Sequence, residues 1–277
     1  MGARLRTLET RDRERLEAFL ARRAVENLFL ASKVWANGMD RRRLGRIHAW
    51  EIDGEIGAVL LDSGTLFVGG QQPAAIPEFV RSLGGIRRCT SILGPAIMAL
   101  GLYTGLSDRY GDVWRTCSNV RKRQPLMVLE EPPHVEPDPR VRRLGEKEFR
   151  SYLDASTHMY TEEIGSSPFK YGGGYDKFVK ERLRLGDAWG IVEDGEVIFK
   201  ADLGPKMPGH AQIQGVWVRP ELRGQGLASP ALSGMLHDVM RQYPTVSLYV
   251  NDFNAPAVRS YERLGFQQVG ALATVHY

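Results

Sequence analysis

Residues 216–229 read VWVRPELRGQGLAS. Val216-Trp217-Val218 is an apolar run of strand-forming residues, and Pro220 stops ladder pairing after it. Arg223-Gly224-Gln225-Gly226 then leads into Leu227, Ala231-Leu232, Met235-Leu236, Val239-Met240 and Tyr243, one apolar stripe at helical spacing. Pro230 falls in the first turn of that helix, where a missing N–H costs little. Strand, glycine loop and helix in this order predict an α/β fold with a parallel crossover around the helix. Glycines let a backbone approach an anion closely, and a helix N-terminus adds unpaired donors and a partial positive charge. The stretch therefore predicts an anion site.

Two nucleotide loops do not fit. A P-loop needs a lysine after its last glycine, and here Leu227 follows Gly226. A dinucleotide loop needs GxGxxG, and the third glycine is replaced by Ser229. The next strand and helix, SLYVNDFNAPAVRSYERLGF at 247–266, adds a second pattern. Asn254 suits an N-cap with Pro256 just inside the helix, and Gly265 suits the residue past its end. Val258, Tyr261 and Leu264 also read as a buried stripe.

Taken together, Arg223-x-x-Gly226-x-Ala228 and Asn254-x-x-Ala257-x-x-x-Tyr261-x-x-x-Gly265-Phe266 resemble the paired motifs of the GNAT N-acetyltransferases. The resemblance covers roughly 140–277. It implies that Arg223, Gly224, Gln225, Gly226, Leu227, Ala228 and Ser229 hold the pyrophosphate of acetyl-coenzyme A. It implies that Val216, Trp217 and Val218 face the thioester and pantetheine, with a backbone N–H given to the thioester carbonyl. Asn254 and Ala257 would lie along the pantetheine arm, and Tyr261 beside the thioester sulfur as general acid.

Acyl transfer to an amine also needs a proton acceptor. Many members of the family carry a glutamate on the strand before the loop; Gln212 and Gln214 stand there, and neither is a base. The candidates elsewhere are Glu162 and Glu163, in the segment matching the family's acceptor region. His158, His210 and the carboxylate of Tyr277 are weaker ones. The expected function is an acetyl-CoA-dependent N-acetyltransferase acting on a small-molecule or peptide amine. Two other readings stay open: an acetyl-CoA sensor or scaffold without turnover, and a tandem-GNAT aminoacyl transferase using charged tRNA.

The chain has 277 residues, enough for two cores, with 43% hydrophobic and 25% charged residues as in ordinary globular proteins. EEPPHVEPDP at 130–139 holds four prolines and divides the chain as an extended linker. The expected division is 1–129, a diverged GNAT-like half without a glycine loop; 130–139, the linker; and 140–277, the acetyltransferase domain. Each half is expected to hold a mixed, mostly antiparallel sheet flanked by helices, with hairpin turns at Asp53-Gly54 and Asp194-Gly195. Residues 11–36 carry a helical period throughout. No apolar run spans a bilayer, the charged N-terminus lacks a signal-peptide core, and Arg6 breaks the myristoylation pattern after Gly2. A cytoplasmic monomer or homodimer is expected. Cys89 and Cys117 are expected as thiols, and no metal-ligand spacing occurs. The net charge of +4 comes partly from short arginine clusters without interleaved aromatics, so no nucleic-acid partner is expected.

Overall fold

In the computed structural model, which describes residues 2–170 and 172–277, both Asp-Gly pairs take positive φ and close two-residue hairpins. Asp53 and Gly54 sit at 51° and 88°, and Asp194 and Gly195 at 50° and 81°, the backbone of the hairpin turns favoured by strand twist. In chain order the elements begin with β1 (Ala3–Thr7), α1 (Arg13–Ala21), α2 (Leu28–Asn37), α3 (Arg41–Leu44), β2 (Arg46–Ile52), β3 (Glu55–Asp62) and β4 (Thr65–Gly70). There follow α4 (Ile76–Leu83), β5 (Ser91–Pro95), α5 (Ala96–Tyr110), α6 (Asp112–Arg115) and β6 (Asn119–Leu129). After the proline-rich stretch come β7 (Arg142–Arg143), α7 (Phe149–Ile164), α8 (Tyr175–Arg184), β8 (Ala188–Glu193), β9 (Glu196–Met207) and β10 (His210–Val218). The chain closes with α9 (Ala228–Val239), β11 (Thr245–Tyr249), α10 (Ala255–Arg263) and β12 (Gln267–His276).

These elements form two compact units. The first comprises residues up to Met127 together with 249–254 and 268–277; the second comprises 128–248 and 255–267. In the first unit the strands lie in the order β1-β2-β3-β4-β5-β12-β6, with β4 and β5 parallel and joined through α4. The other registered pairs, from β1/β2 to β5/β12, are antiparallel. Phe79, Leu102, Leu106 and Trp114 of the helices pack on Leu60, Val68 and Ile92 of the strands to form its core. The 11–36 segment is two helices, not one. α1 ends at Ala21 and α2 starts at Leu28, and the buried Asn27 amide donates to the Leu20 carbonyl to close the turn between them.

The second unit orders its strands β11-β10-β9-β8-β7, antiparallel from β7 to β10 and parallel between β10 and β11, with α9 as the crossover. This is the mixed, mostly antiparallel sheet flanked by helices that the sequence predicts. Tyr152 of α7, Leu183 of α8, Trp217 of β10 and Leu144 form the core on one side. Leu232, Leu236 and Val239 of α9 are buried, as the apolar stripe requires. The 130–139 stretch lies against α9: the Asp138 N–H donates to the Pro230 carbonyl at 3.0 Å, and the Ser233 hydroxyl donates to the Val135 carbonyl. The expected division assigned 267–276 to the C-terminal half. Its strand, β12, instead pairs with β5 of the first unit, Leu272 opposite Pro95 and Val275 opposite Ile92.

Candidate active site

The expected anion loop connects β10 to α9 in the second unit. Parallel pairing of β10 with β11 covers only His210↔Thr245, Ala211↔Val246 and Gln212↔Ser247. β10 itself runs on to Val218, so its second half leaves β11. On its other side β10 stays paired to β9 but carries a bulge: Gln214 pairs with Asp202 and Trp217 with Lys200, leaving Gly215 and Val216 opposite Ala201.

Beyond Val218 a short 3-10 turn at Pro220–Leu222 leads into the loop. Arg223, Gly224, Gln225 and Gly226 are exposed, Leu227 and Ala228 half-buried, and Ser229 buried. Gly224 and Gly226 have φ of 75° and 82°, a left-handed backbone that side chains disfavour. Nothing lies within 4 Å of a Cβ built at either. Glycine here answers to backbone conformation, and the outer face of the loop is open to a ligand. The loop is braced from within: Gln225 Nε2 donates to the Glu221 carbonyl at 2.8 Å and Arg223 Nε to the Val218 carbonyl at 2.9 Å. α9 starts directly after Leu227, so its unpaired N–H groups adjoin the glycines.

The structure separates the two candidate carboxylates of α7. Glu162 is engaged by Arg223, whose terminal nitrogen meets Oε1 and Oε2 at 3.0 and 2.8 Å. Burial holds the phenol of Tyr261 above the ordinary tyrosine range, and the charge of Glu163 adds to it. Tyr175 is raised by burial first, then by the Asp202 charge, with Glu163 contributing least. Tyr261 is buried in α10 with its ring 6.0 Å from that of Phe266. Gly265, at φ 97°, ends that helix, and the Phe266 N–H reaches back to the Tyr261 carbonyl at 3.0 Å.

Trp217 places its side chain in the core, stacked at 6.3 Å on the exposed His158. Val216 and Val218 are half-buried. Gln212 is fully buried, and Gln214 donates to it at 3.4 Å. His210 stands at the opposite end of β10 from the loop; burial lowers its pKa. Asn254 immediately precedes α10 and belongs to the first unit's 249–254 segment, while Ala257 is half-buried within the helix. Tyr277 also belongs to the first unit, with its ring edge-on to Trp114 at 5.9 Å and Arg87 over its face at 4.1 Å.

One group of polar residues at the bulge was not singled out by sequence motifs. Lys200 and Asp202 of β9 and Tyr152 of α7 are joined by hydrogen bonds: Lys200 Nζ to Asp202 Oδ2 at 2.6 Å, and the Tyr152 hydroxyl to Asp202 Oδ1 at 2.6 Å. The signal is present in EVIFKADL, where two opposite charges two residues apart share one face of an apolar strand.

Comparison with known proteins agrees with this arrangement. Residues 149–266 match the model of the acetyltransferase (GNAT) family, and residues 45–152 match a domain of unknown function, DUF4081. Over 82 residues the chain is 34% identical to "Acetyltransferase Atu2258" of Agrobacterium fabrum, covering 30% of this chain and 59% of that protein. Over 95 residues it is 39% identical to the mycothiol acetyltransferase of Streptomyces bingchenggensis, covering 30% of each. The chain thus spans less than two thirds of either curated relative, 59% of one and 30% of the other. A tandem GNAT protein from the clavulanic acid biosynthesis pathway shares the fold, with a TM-score of 0.51 at 14% identity over 99% of this chain and 98% of that one. Loop, diverging strands and family match coincide, and the 149–266 segment belongs to the acetyltransferase (GNAT) family.

Proposed function

We propose that the protein is an acetyl-CoA-dependent N-acetyltransferase that moves the acetyl group directly from the thioester to an amine. The observation that carries this reading is the parting of β10 from β11 after Gln212, with an open glycine loop and a helix N-terminus at its end. Residues 223–229 would take the pyrophosphate on backbone N–H groups and the helix dipole. The backbone of Val216 to Val218 would line the pantetheine and give an N–H to the thioester carbonyl, where negative charge develops. Burial keeps the proton on Tyr261 at neutral pH, so its hydroxyl donates to the departing sulfur. Glu162 and Glu163 of α7 are the candidate proton acceptors, and Glu162 is held by Arg223. The acceptor would be a small-molecule or peptide amine, and the setting cytoplasmic.

The test is release of free thiol from acetyl-CoA by the full chain across a panel of primary amines, with Tyr261→Phe as control. Turnover that falls in the variant supports the reading. A second reading, acetyl-CoA binding without turnover, draws on Gln212 and Gln214 in place of a strand carboxylate. Measured CoA binding with no thiol release on any amine would select it.

A further inference from the structure

Lys200 has no accessible surface, and among the described residues no other lysine or arginine is buried. Removing an ammonium from water costs several kcal/mol even after relaxation, and a buried ion pair often adds nothing over apolar residues of the same volume. Stability alone therefore does not account for it. Its three protons have three partners: Asp202 Oδ2 at 2.6 Å, the Gly215 carbonyl at 2.9 Å and Met159 Sδ at 3.6 Å.

The Gly215 carbonyl is the informative partner. Gly215 is the first residue of the β10 bulge and has φ of 57°. A Cβ there would come within 2.5 Å of Asp202 Oδ2 and 2.9 Å of Lys200 Nζ. Its conformation favours glycine, and a side chain there would have to displace the Asp202 carboxylate and the Lys200 ammonium. The described peptides are all trans. In a planar trans peptide the C=O and the following N–H point in opposite directions. An ammonium that fixes the Gly215 carbonyl thus fixes the Val216 N–H, directed away from Lys200.

We propose that Lys200 is a positioning residue for acyl transfer: through the Gly215–Val216 peptide it sets the aim of the β10 backbone donor. The inference rests on the function proposed above, in which the Val216–Val218 backbone meets the thioester carbonyl. Asp202, held in turn by Tyr152, neutralises the ammonium and keeps it in place. The donor is thus preset before substrate arrives, the condition under which such groups lower a barrier most.

The experiment is isotope-edited infrared spectroscopy of acetyl-CoA, carbonyl-labelled with carbon-13, bound to the full chain; it needs no acceptor. The wild type is expected to lower the carbonyl stretch relative to free acetyl-CoA. Lys200→Met should retain CoA binding while the stretch returns toward the free value. With an active amine its kcat should fall about 100-fold at nearly constant KM for acetyl-CoA, as for a misplaced catalytic group. Lys200→Met with Asp202→Asn removes both charges and guards against misfolding. If the double variant folds and still lacks the lowered stretch, positioning is supported. An unchanged stretch in either folded variant overturns the role of Lys200. A wild type that binds acetyl-CoA without lowering the stretch overturns the acyl-transfer reading itself, and the inference with it.

Discussion

Arg223 ties the glycine loop to α7: its terminal nitrogen meets both carboxylate oxygens of Glu162, at 2.8 and 3.0 Å, while its Nε holds the Val218 carbonyl. One side chain at the start of the loop thereby joins it both to its own strand and to a helix residue 61 positions earlier in the sequence.

Glu162 is an anion placed where a diphosphate would compete for the same guanidinium. Both side chains are nearly half exposed, at 45% and 44%, so the pair contributes at most about 1 kcal/mol to stability. Glu162→Gln is expected to leave the melting temperature almost unchanged and to tighten CoA binding a few-fold. Arg223→Glu should weaken binding about 10-fold or more. Titration calorimetry with CoA reads both, and a weaker Glu162→Gln complex would contradict the competition.

At Gly226 a side chain has room but meets a left-handed backbone, which costs roughly 1–2 kcal/mol. Gly226→Asp adds a negative charge at the mouth of the helix. The variant should fold, by circular dichroism, and lose CoA affinity. Unchanged affinity would return the glycines to the role of a plain turn.

Tyr261→Phe keeps the ring that packs on Phe266 and removes only the hydroxyl. Thiol release should fall about 100-fold, the usual range for losing a general acid, with stability almost unaltered. Since burial raises the phenol's pKa above its unfolded value, its proton is kept throughout neutral pH. Ionisation of Tyr261 should therefore not reduce kcat below about pH 10. A basic limb near pH 8 that vanishes in Tyr261→Phe would refute the assignment.

In the first unit the Cys89 thiol is buried and pushed up to about 11 by that burial. At pH 8 roughly one molecule in a thousand would carry the thiolate. Cys117 is half-buried. Alkylation followed by mass spectrometry should mark Cys117 well before Cys89, and reversed order would count against the burial.

Asp12 accepts two bonds from Arg6, at 2.5 and 2.8 Å, and these hold its carboxyl well below the usual carboxylate range. A carboxyl with a depressed folded pKa stabilises the protein above the unfolded value near 4, and the gain disappears as pH falls below it. Asp12→Asn should cost about 2 kcal/mol at pH 7. It should also flatten the acid side of the stability curve, as urea titrations at several pH values would show.

How far the sequence could be read depended on distance along the chain. The strand-loop-helix run from Val216 to Val239 and both Asp-Gly hairpins rest on neighbours within a few residues, and they were legible. The break at 22–27 was hidden because the apolar period continues across it; a side-chain bond from Asn27 closes that turn. The Arg223–Glu162 pair joins residues whose own segments say nothing of each other. Lys200 and Asp202 were visible as charges in an apolar strand, but their purpose depends on the Gly215 bulge of a different strand.

The pairing of β12 with β5 also governs how the chain is made. Leu93 and Gly94 wait for Thr274 and Ala273 as partners, and everything between must be synthesised first. The first half therefore cannot finish folding as it emerges from the ribosome, and its sheet closes only after the second half has been translated. The consequence reaches the bench as well. A fragment cut at the proline-rich stretch would separate β12 from β5, leaving one piece with an unpaired strand and the other with an open sheet edge, the geometry that favours aggregation.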